Sequence, residues 1–167
     1  MISVLQRVSS GSCTVELQNI AVVGMGLVVF LCVCRGDTED DARWMARKVA
    51  NLRIFKDSQS KLNRSALDVR GQILVVPQFT LCGDCRRGYR PGFSNAADHS
   101  LARRLLLRVV ELLRWHGLDV VEGIFGAYMQ IELVNEGPVT LILDSKKVEY
   151  CLGERNRGEA SGGRSNG

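Results

Sequence analysis

The sequence predicts one mixed α/β domain over residues 1–150, followed by a tail at residues 151–167. Hydrophobic residues make up 46% of the 167 residues and charged residues 24%, which is a globular composition. The predicted elements follow the order strands, helix, strands, helix, strands, as in a mixed α/β fold. A chain of this length buries roughly two-thirds of its unfolded surface, enough for one hydrophobic core.

The first third of the chain is predicted to form strands. Residues 3–8 and 13–17 flank a Ser-Ser-Gly-Ser cluster at residues 9–12, which predicts a turn between two strands. Residues 20–23 and 27–33 form two further strands. Because residues 27–33 are nearly continuous in apolar side chains, we expect that strand to be buried on both faces.

A helix is predicted after residues 36–38 (Gly-Asp-Thr). Asp37 or Thr38 can cap its first turn, and the acidic residues 39–41 lie at the positive end of the helix dipole. The apolar residues that recur at helical spacing are Ala42, Met45, Ala46 and Val49. A short strand at residues 53–55 and a polar turn at residues 56–60 come next.

The second half contains the clearest helix, at residues 98–116, with a broad apolar arc and Gly117 at its end. Before it, a strand at residues 72–76 leads into Pro77. Because proline cannot donate a ladder hydrogen bond, that strand lies at a sheet edge or ends there. The remaining strands are predicted at residues 119–122, 129–134 and 139–143.

Charge and hydropathy limit the possible partners. The net charge of +4 permits a polyanionic partner without requiring one. The tail is rich in Gly, Ser, Asn and Arg, which predicts disorder, with RNA contact through its arginines as the alternative. The first residues lack the features of a signal peptide, and the longest apolar run, residues 20–34, falls short of the about 20 residues that span a bilayer. We therefore expect a cytoplasmic protein with no membrane partner.

Six cysteines are present, and in a cytosolic chain we expect them to be thiols. Cys82 and Cys85 have the two-residue spacing of zinc ligands and redox dithiols. A structural zinc site needs a second pair, which only Cys32 and Cys34 supply, and their spacing is not the usual one. Buried or loop thiols are the favoured interpretation, and no metal or organic cofactor is predicted.

Common hydrolase motifs are missing from the sequence. No Gly-x-Ser-x-Gly, His-Glu-x-x-His or phosphate-binding glycine loop occurs. The two histidines, His99 and His116, lie at the ends of a predicted helix with no nucleophile nearby in sequence, so we interpret them as surface residues. An enzyme built on this chain would depend little on acid–base side chains.

Two segments are unusual for a purely structural role, and an arginine-rich loop lies between them. Residues 77–81 (Pro-Gln-Phe-Thr-Leu) place polar side chains around a phenylalanine at a strand end, where an edge strand leaving the sheet is the alternative. Residues 135–140 (Asn-Glu-Gly-Pro-Val-Thr) favour an ordinary hairpin by spacing alone. Residues 86–93 interleave arginines with aromatic residues and glycines. That composition suits phosphate contact and base stacking, and a solvated charged loop fits equally well.

Taken together, these segments resemble the D-aminoacyl-tRNA deacylase family, formerly D-tyrosyl-tRNA deacylases. The resemblance extends over residues 1–145. Besides residues 77–81 and 135–140, it is carried by residues 6–8 (Gln-Arg-Val), 36–38, 51–55 (Asn-Leu-Arg-Ile-Phe), 125–127 (Phe-Gly-Ala) and Met129. It implies a homodimer of single α/β domains, each with β-sheets and two main helices packed on one side. It also implies a hydrolase that proofreads tRNA in translation.

The resemblance implies a catalytic pocket for the 3′-terminal adenosine of aminoacyl-tRNA and its ester, lined by Gln78, Phe79 and Thr80. The substrate-binding residues beside it would be Ala127 and Met129. Backbone N–H groups around residues 79 and 80 would stabilise the oxyanion, at about 3–4 kcal/mol per donor, and the ribose 2′-hydroxyl would help to activate water. Thr80 has no base beside it in sequence, so we favour a hydrogen-bonding role over a nucleophilic one.

Chiral selection is implied to come from Gly137 and Pro138, as a cis-proline loop that enters the partner subunit's pocket and that Arg7 braces. Rigid carbonyls there would accept a D residue and exclude an L side chain, so selection works by rejection. Glycine has no side chain to exclude, which would make glycyl-tRNA a second substrate.

The first motif departs from the family at Pro77, where the family has Ser. An animal relative that removes L-alanine mischarged onto a threonine tRNA is similar in having Pro-Gln at this point. Phe79 and the Val139-Thr140 pair favour the D-specific branch. Editing of L-alanyl-tRNA stays open as an alternative, as does an RNA-binding module without catalysis.

Overall fold

The computed structural model describes residues 1–86 and 88–147, so the tail predicted to be disordered lies outside the described residues. The strands are β1 (Ile2–Val15), β2 (Gln18–Val23), β3 (Gly26–Cys32), β4 (Phe55–Lys56), β5 (Leu62–Arg64), β6 (Gln72–Pro77), β7 (Val120–Glu122) and β8 (Gln130–Asp144). The helices are α1 (Glu39–Asn51), α2 (Ala66–Val69), α3 (His99–Trp115) and a 3-10 helix (Phe79–Cys82). No helix in the described ranges is long and apolar enough to cross a membrane.

Six of the strands form one mixed sheet around β1. The first half of β1 pairs antiparallel with β3 and its second half with β2, while β8 pairs with it along the other edge. β3 and β6 are parallel neighbours, and so are β6 and β7. This combination of antiparallel and parallel pairs confirms the predicted mixed α/β class.

The hydrophobic core has two parts on opposite faces of the sheet. On β6, Ile73 and Val75 belong to the larger cluster, which also takes in α1 and α3, and Leu74 and Val76 belong to the smaller one. β3 also contributes residues to both clusters, so the prediction that it is buried on both faces is confirmed. Both main helices pack on one side, where each buried aliphatic side chain contributes about 1.5–3 kcal/mol.

The two main helices begin where the sequence predicts. At the start of α1, the backbone N–H of Thr38 donates to the Asp41 carboxylate over 2.8 Å. At the start of α3, the Asp98 carboxylate accepts from the Leu101 N–H over 3.0 Å. Each bond satisfies a donor that has no partner in its helix. Gly117 follows α3 with φ of 89°, a left-handed conformation that glycine adopts without strain.

The predicted turn at residues 9–12 is wrong, because β1 continues through it. β8 pairs with β1 on both sides of this segment, from Ile2 to Thr14. In place of a turn, the pairing of β1 with β8 shifts in register near Val8 and Ser10. Here β1 also changes its other neighbour from β3 to β2. The pairing keeps the backbone extended where the local sequence favours reversal.

The hairpin interpretation of residues 135–140 is also wrong. The two strands predicted around it are one strand, β8, and both halves pair with β1. Gln6 pairs with Thr140 and Val8 with Asn135, so residues 136–139 bulge outward opposite the single residue Arg7. A bulge of this kind re-aims backbone and side chains without reversing the chain.

The segment between α1 and β6 was predicted only in outline. The short strand expected at residues 53–55 is shifted to β4, which pairs with β5 across a turn. The sequence interpretation also missed α2, a single turn whose Ser65 cap accepts from the Asp68 N–H over 3.2 Å. Such short elements depend on tertiary packing more than on their own sequence.

The expectation that the cysteines are all thiols is wrong for one pair, because Cys34 and Cys82 form a disulfide. Cys34 follows β3 and Cys82 ends the 3-10 helix after β6. Since β3 and β6 are adjacent parallel strands, residues far apart in sequence meet at their carboxyl ends. Of the remaining described cysteines, Cys13 and Cys32 are buried thiols and Cys85 is an exposed one.

Candidate active site

A cavity of about 480 Å³ opens at the carboxyl ends of β3 and β6. Leu31, Val76 and Pro77 line its floor, and α3 and the segment at residues 125–131 form the walls. Ligands commonly bind at this edge of parallel strands, where the chain leaves the sheet. The cavity is therefore placed by the topology of β3 and β6.

Gln78, Phe79 and Thr80 lie at this edge, because β6 ends at Pro77 and the chain turns into the 3-10 helix. The Gln78 N–H still donates to the Leu31 carbonyl of β3, over 2.9 Å. The Gln78 side-chain amide donates to the Thr80 hydroxyl. Gln78 and Phe79 line the cavity, whereas Thr80 is exposed and outside its lining.

The Phe79 ring is 58% exposed at the cavity wall. It makes an edge-to-face contact with Phe93, with 5.2 Å between ring centroids. The contact holds the ring in position while leaving much of its surface accessible. An aromatic ring presented in this way is suited to stacking on a nucleic-acid base.

Backbone N–H groups at the start of the 3-10 helix lack partners within it. The Leu81 N–H donates to the Gln78 carbonyl over 3.2 Å, and the Gly83 N–H to the Thr80 carbonyl over 3.0 Å. The N–H groups of residues 79 and 80 precede these bonds, where a helix offers no acceptor. They are suited to binding an oxyanion.

Two of the predicted substrate-binding residues lie in the opposite wall. Ala127 and Met129 line the cavity, as do Phe125 and Tyr128. The Met129 sulfur lies so close to Gly123 that a Cβ there would approach it to 2.7 Å. A side chain at residue 123 would therefore displace Met129 from the wall.

His99 also lines the cavity, although the sequence analysis interpreted it only as a surface residue. The His99 ring lies edge-on to Phe125, with 4.8 Å between centroids. Both residues were visible in the sequence, but only packing of the start of α3 against the segment after β7 brings them together. The side chain is exposed, so His99 lies at the cavity rim.

The cavity lining is mostly apolar, and it contains no carboxylate among the described residues. Its buried ionisable group is Cys32, and burial raises the pKa of that thiol to about 11. Cys32 is therefore a neutral thiol at neutral pH. The Cys32 thiol donates to the carbonyls of Val33 and Phe79, and the groups at this edge that suit an ester substrate are the Gln78 amide and the N–H groups of residues 79 and 80.

Arg7, Gly137 and Pro138 lie apart from this cavity. Arg7 is 2% exposed and donates to the backbone carbonyls of Ile54 and, over 3.3 Å, Glu136. It thereby supports the base of the β8 bulge. Gly137 and Pro138 form the exposed part of that bulge and do not line the cavity of their own chain.

The Gly137–Pro138 peptide bond is not cis, since no cis bond occurs among the described residues. The expected cis-proline conformation is therefore wrong for this structure. The trans form is the intrinsically favoured isomer of an X–Pro bond, by about 0.5–1 kcal/mol. Contacts from Arg7 hold the bulge in place without requiring the other isomer.

The arginine-rich loop lies between the 3-10 helix and α3. Asp84 and Gly92 close it by a pair of backbone hydrogen bonds of 2.7 and 3.0 Å. The Arg86 guanidinium pairs with the Asp84 carboxylate over 2.7 Å, while Tyr89 and Arg90 are exposed. Arg87 lies outside the described residues. The loop thus exposes Tyr89 and Arg90, and it also contains Phe93, which contacts Phe79.

A family model described as D-Tyr-tRNA(Tyr) deacylase matches residues 4–144. The chain belongs to the D-aminoacyl-tRNA deacylase family. The deacylase of Fervidobacterium nodosum is 49% identical over 148 residues, which cover 89% of this chain and 99% of the relative. The deacylase of Desulfitobacterium hafniense is 52% identical over 147 residues, covering 88% and 99%. The predicted family is confirmed.

Solved structures show the same deacylase fold. A protein named c-Myc DNA Unwinding Element Binding Protein is similar with a TM-score of 0.81 and 37% identity, covering 86% of this chain and 98% of that one. A probable eukaryotic D-amino acid tRNA deacylase has a TM-score of 0.75 at 20% identity and the same coverage, a likeness of fold alone.

Proposed function

We propose that this deacylase hydrolyses the ester bond of D-aminoacyl-tRNA, releasing the free D amino acid and tRNA, as chiral proofreading in the cytoplasm. The observation that carries the proposal is the position of Gln78 and Phe79 at an apolar cavity, beside backbone N–H groups that have no partner within the 3-10 helix. An aminoacyl ester is already activated, so an enzyme can cleave it mainly by positioning and oxyanion stabilisation.

The cavity suits the end of an aminoacyl-tRNA. Its volume of about 480 Å³ lies within the range of small-molecule sites. The terminal adenine stacks on Phe79, and the Gln78 amide and the neighbouring Thr80 hydroxyl bind polar atoms of the adenosine. The aminoacyl group then enters between the floor and the wall formed by Ala127 and Met129.

Hydrolysis proceeds by attack of water on the ester carbonyl. The negative charge that develops on the carbonyl oxygen is bound by the N–H groups of residues 79 and 80. The bond from the carbonyl carbon to the ribose 3′-oxygen breaks, and that oxygen takes up a proton. The neighbouring ribose 2′-hydroxyl orients the water. Thr80 binds and does not attack, because its side-chain partner among the described residues is the Gln78 amide, which is not a base.

Chiral selection requires a second copy of the chain. Gly137 and Pro138 are exposed and lie outside the cavity of their own subunit. β8 pairs with β1 alone among the described strands and exposes apolar side chains, Val134 at 58% and Ile142 at 70%. A long, open edge strand favours association. In the homodimer, the Gly137–Pro138 bulge of one subunit enters the other cavity and excludes L side chains.

The deciding experiment is deacylation of D-Tyr-tRNA, L-Tyr-tRNA, Gly-tRNA and L-Ala-tRNA by catalytic amounts of protein. We expect loss of the D-Tyr and Gly esters while L-Tyr-tRNA is spared. Selective loss of L-Ala-tRNA would instead assign the L-alanine editing activity that Pro77 suggests. Binding of tRNA without turnover of any ester would leave an RNA-binding module.

Mixing two impaired variants, assayed at a substrate concentration well below the KM of wild type, tests the shared site. Phe79→Ala damages the cavity and Gly137→Ala damages the bulge. A mixed dimer contains one site with an intact cavity and an intact partner bulge, so mixing the two proteins under subunit exchange should restore part of the activity. If the mixture shows only the average activity of its two components, each site is built within one chain.

A further inference from the structure

Three cysteines from two distant parts of the chain converge beside the cavity. Cys32 ends β3, Cys34 lies two residues later, and Cys82 ends the 3-10 helix. Their sulfur atoms all lie within 4.8 Å of one another. Cys34 and Cys82 form the disulfide, and the Cys32 sulfur lies 2.8 Å from that of Cys82. The deacylation chemistry uses none of these groups.

The cluster contacts the segment that carries the candidate catalytic residues. The Cys32 thiol donates to the Phe79 carbonyl over 3.4 Å, and Cys32 also lines the cavity. The segment is attached to β3 at its start, through the hydrogen bond from the Gln78 N–H to the Leu31 carbonyl. The Cys34–Cys82 bond attaches its other end, so the disulfide closes the segment onto the sheet.

We propose that Cys34, Cys82 and Cys32 form a reversible oxidation site, which takes a low-molecular-weight disulfide as its reactant and braces the 3-10 helix when oxidised. The Cα atoms of Cys34 and Cys82 are 6.5 Å apart, within the usual range for a bridge. Disulfides in reducing compartments are usually transient and redox-sensing.

The exchange is balanced in two steps. The Cys34 thiolate, on the more accessible residue of the pair, attacks one sulfur of the disulfide R–S–S–R, forming a mixed disulfide and releasing R–S⁻. The Cys82 thiolate then attacks the Cys34 sulfur, closing the protein bond and releasing the second R–S⁻. Two protein thiols lose two electrons, the reactant gains them, and the two thiol protons pass to the leaving thiolates.

Cys32 is the third member because it is within reach of Cys82. Attack of its thiolate on the Cys82 sulfur would form a Cys32–Cys82 bond and release Cys34. Burial raises the pKa of Cys32 to about 11, so little thiolate is present at neutral pH and this exchange is slow. Cys34–Cys82 is therefore the first bond formed, and Cys32 is the alternative partner when Cys34 is missing.

A metal site is the competing use of the three sulfurs. Structural zinc takes four ligands, and the described cluster offers three cysteines. The nearby Asp37 carboxylate accepts from the Cys34 N–H over 2.6 Å and pairs with the Met1 ammonium over 2.8 Å. Its oxygens are thus committed within the protein, which favours the disulfide.

The test is thiol mapping of the full chain in a series of reduced-to-oxidised glutathione ratios, with alkylation and peptide mass analysis. We expect the wild type to lose two alkylatable thiols in a single step and to yield peptides linked through Cys34 and Cys82. Cys34→Ser should form the Cys32–Cys82 link instead, and Cys82→Ser should form neither. Cys85→Ser is the matched control, an exposed cysteine three residues further on, and should behave as wild type.

A second measurement tests whether the disulfide stabilises the 3-10 helix. Oxidised wild type should melt several degrees above the reduced protein, because the bridge between Cys34 and Cys82 closes a long loop and so stabilises the fold strongly. The difference should vanish in Cys82→Ser. Amide exchange at residues 79–82 should slow on oxidation. The mapping needs no substrate, so its outcome is independent of the proposed deacylation. A Cys82–Cys85 link, no link at any ratio, or Zn²⁺ held by the three thiolates in place of the link would each overturn the proposal.

Discussion

The Arg7 guanidinium occupies the space that a side chain at Gly137 would need. A Cβ built on Gly137 would collide with the Arg7 Nη2 atom and come within 3.3 Å of its Cζ. Gly137 also has φ of 93°, in the left-handed region. The two residues are thus matched, since the buried arginine supports the bulge only while residue 137 lacks a side chain.

Gly137→Ala should destabilise the fold more than backbone strain alone explains. Left-handed backbone costs an alanine about 1–2 kcal/mol, and displacing the buried Arg7 hydrogen bonds adds about 1–3 kcal/mol. Urea unfolding measures the sum. Gly117→Ala is the control, because Gly117 has a similar φ of 89° with nothing within 4 Å of its Cβ position. Equal losses in the two variants would rule out the steric match.

Phe79→Ala should impair substrate binding much more than stability. Loss of stacking on a base is worth about 1–3 kcal/mol, which predicts a KM for D-Tyr-tRNA raised by about tenfold or more. Stability should fall by only about 1 kcal/mol, for the lost contact with Phe93. Trp115→Ala is the control, since that ring is 80% exposed at the far end of α3. An unchanged KM in Phe79→Ala would contradict the stacking role.

Thr80→Ala should keep a single-turnover deacylation rate constant within about tenfold of wild type, because one hydrogen bond is lost. Removing a true nucleophile typically lowers kcat by about 10⁴ or more. Thr80→Ser, which keeps the hydroxyl, should be close to wild type. A collapse in Thr80→Ala that Thr80→Ser rescues would assign Thr80 as the nucleophile.

Asp41 should make stability depend on acid pH. Burial raises the pKa of the Asp41 carboxyl, but hydrogen bonds from Ser145, Thr38 and Lys146 outweigh it and hold the pKa below its usual range. Because the pKa is lower in the folded state, the ionised carboxyl stabilises the fold above the unfolded pKa of about 3.9. This contribution to the free energy of unfolding is lost as the pH falls below that value. Urea unfolding from pH 7 to 2 should show this loss in wild type.

Asp41→Asn should be less stable at pH 7, with a weaker fall in stability below about pH 4. Asp40→Asn provides the control, since the neighbouring Asp40 side chain is 91% exposed and its ion-pair partner is as far away as 3.9 Å. If both variants titrate alike, the Asp41 contacts contribute nothing to acid stability.

Arg90→Gln should weaken tRNA binding and its dependence on salt. Each phosphate contact contributes about one to the slope of log KM against log salt, so the slope should fall by about one. Arg47→Gln is the control because Arg47 lies beside Trp115 and His116, whereas the cavity lies at the start of α3. The separation along α3 is about 25 Å. The same slope for Arg90→Gln and wild type would indicate that the loop is merely solvated.

Local sequence patterns predicted the helices and the position of the first motif. Thr38 and Asp98 cap α1 and α3 by bonds to residues three positions away. Pro77 marks the end of β6 because it cannot continue a ladder. These features follow from interactions within one turn of chain, so a sequence read in short windows contains them.

Tertiary structure decided the continuity of β1 and β8. Each strand contains residues that favour a turn, yet they pair with each other across the whole domain. The backbone groups of an extended segment need partners from distant residues, and no local pattern records which partners are available. The bulge opposite Arg7 exists only because that pairing is made.

The candidate site likewise combines features that the local sequence shows with features that only the fold creates. The motif at residues 77–81 and the bulge residues are visible in the sequence, and the family resemblance assigns both to one function. Only the fold brings His99 to the cavity and Cys34 to Cys82, and only the fold separates Gly137 from the cavity of its own chain. Helix periodicity and capping are set by near neighbours in sequence, whereas these distances depend on which strand ends meet in the sheet.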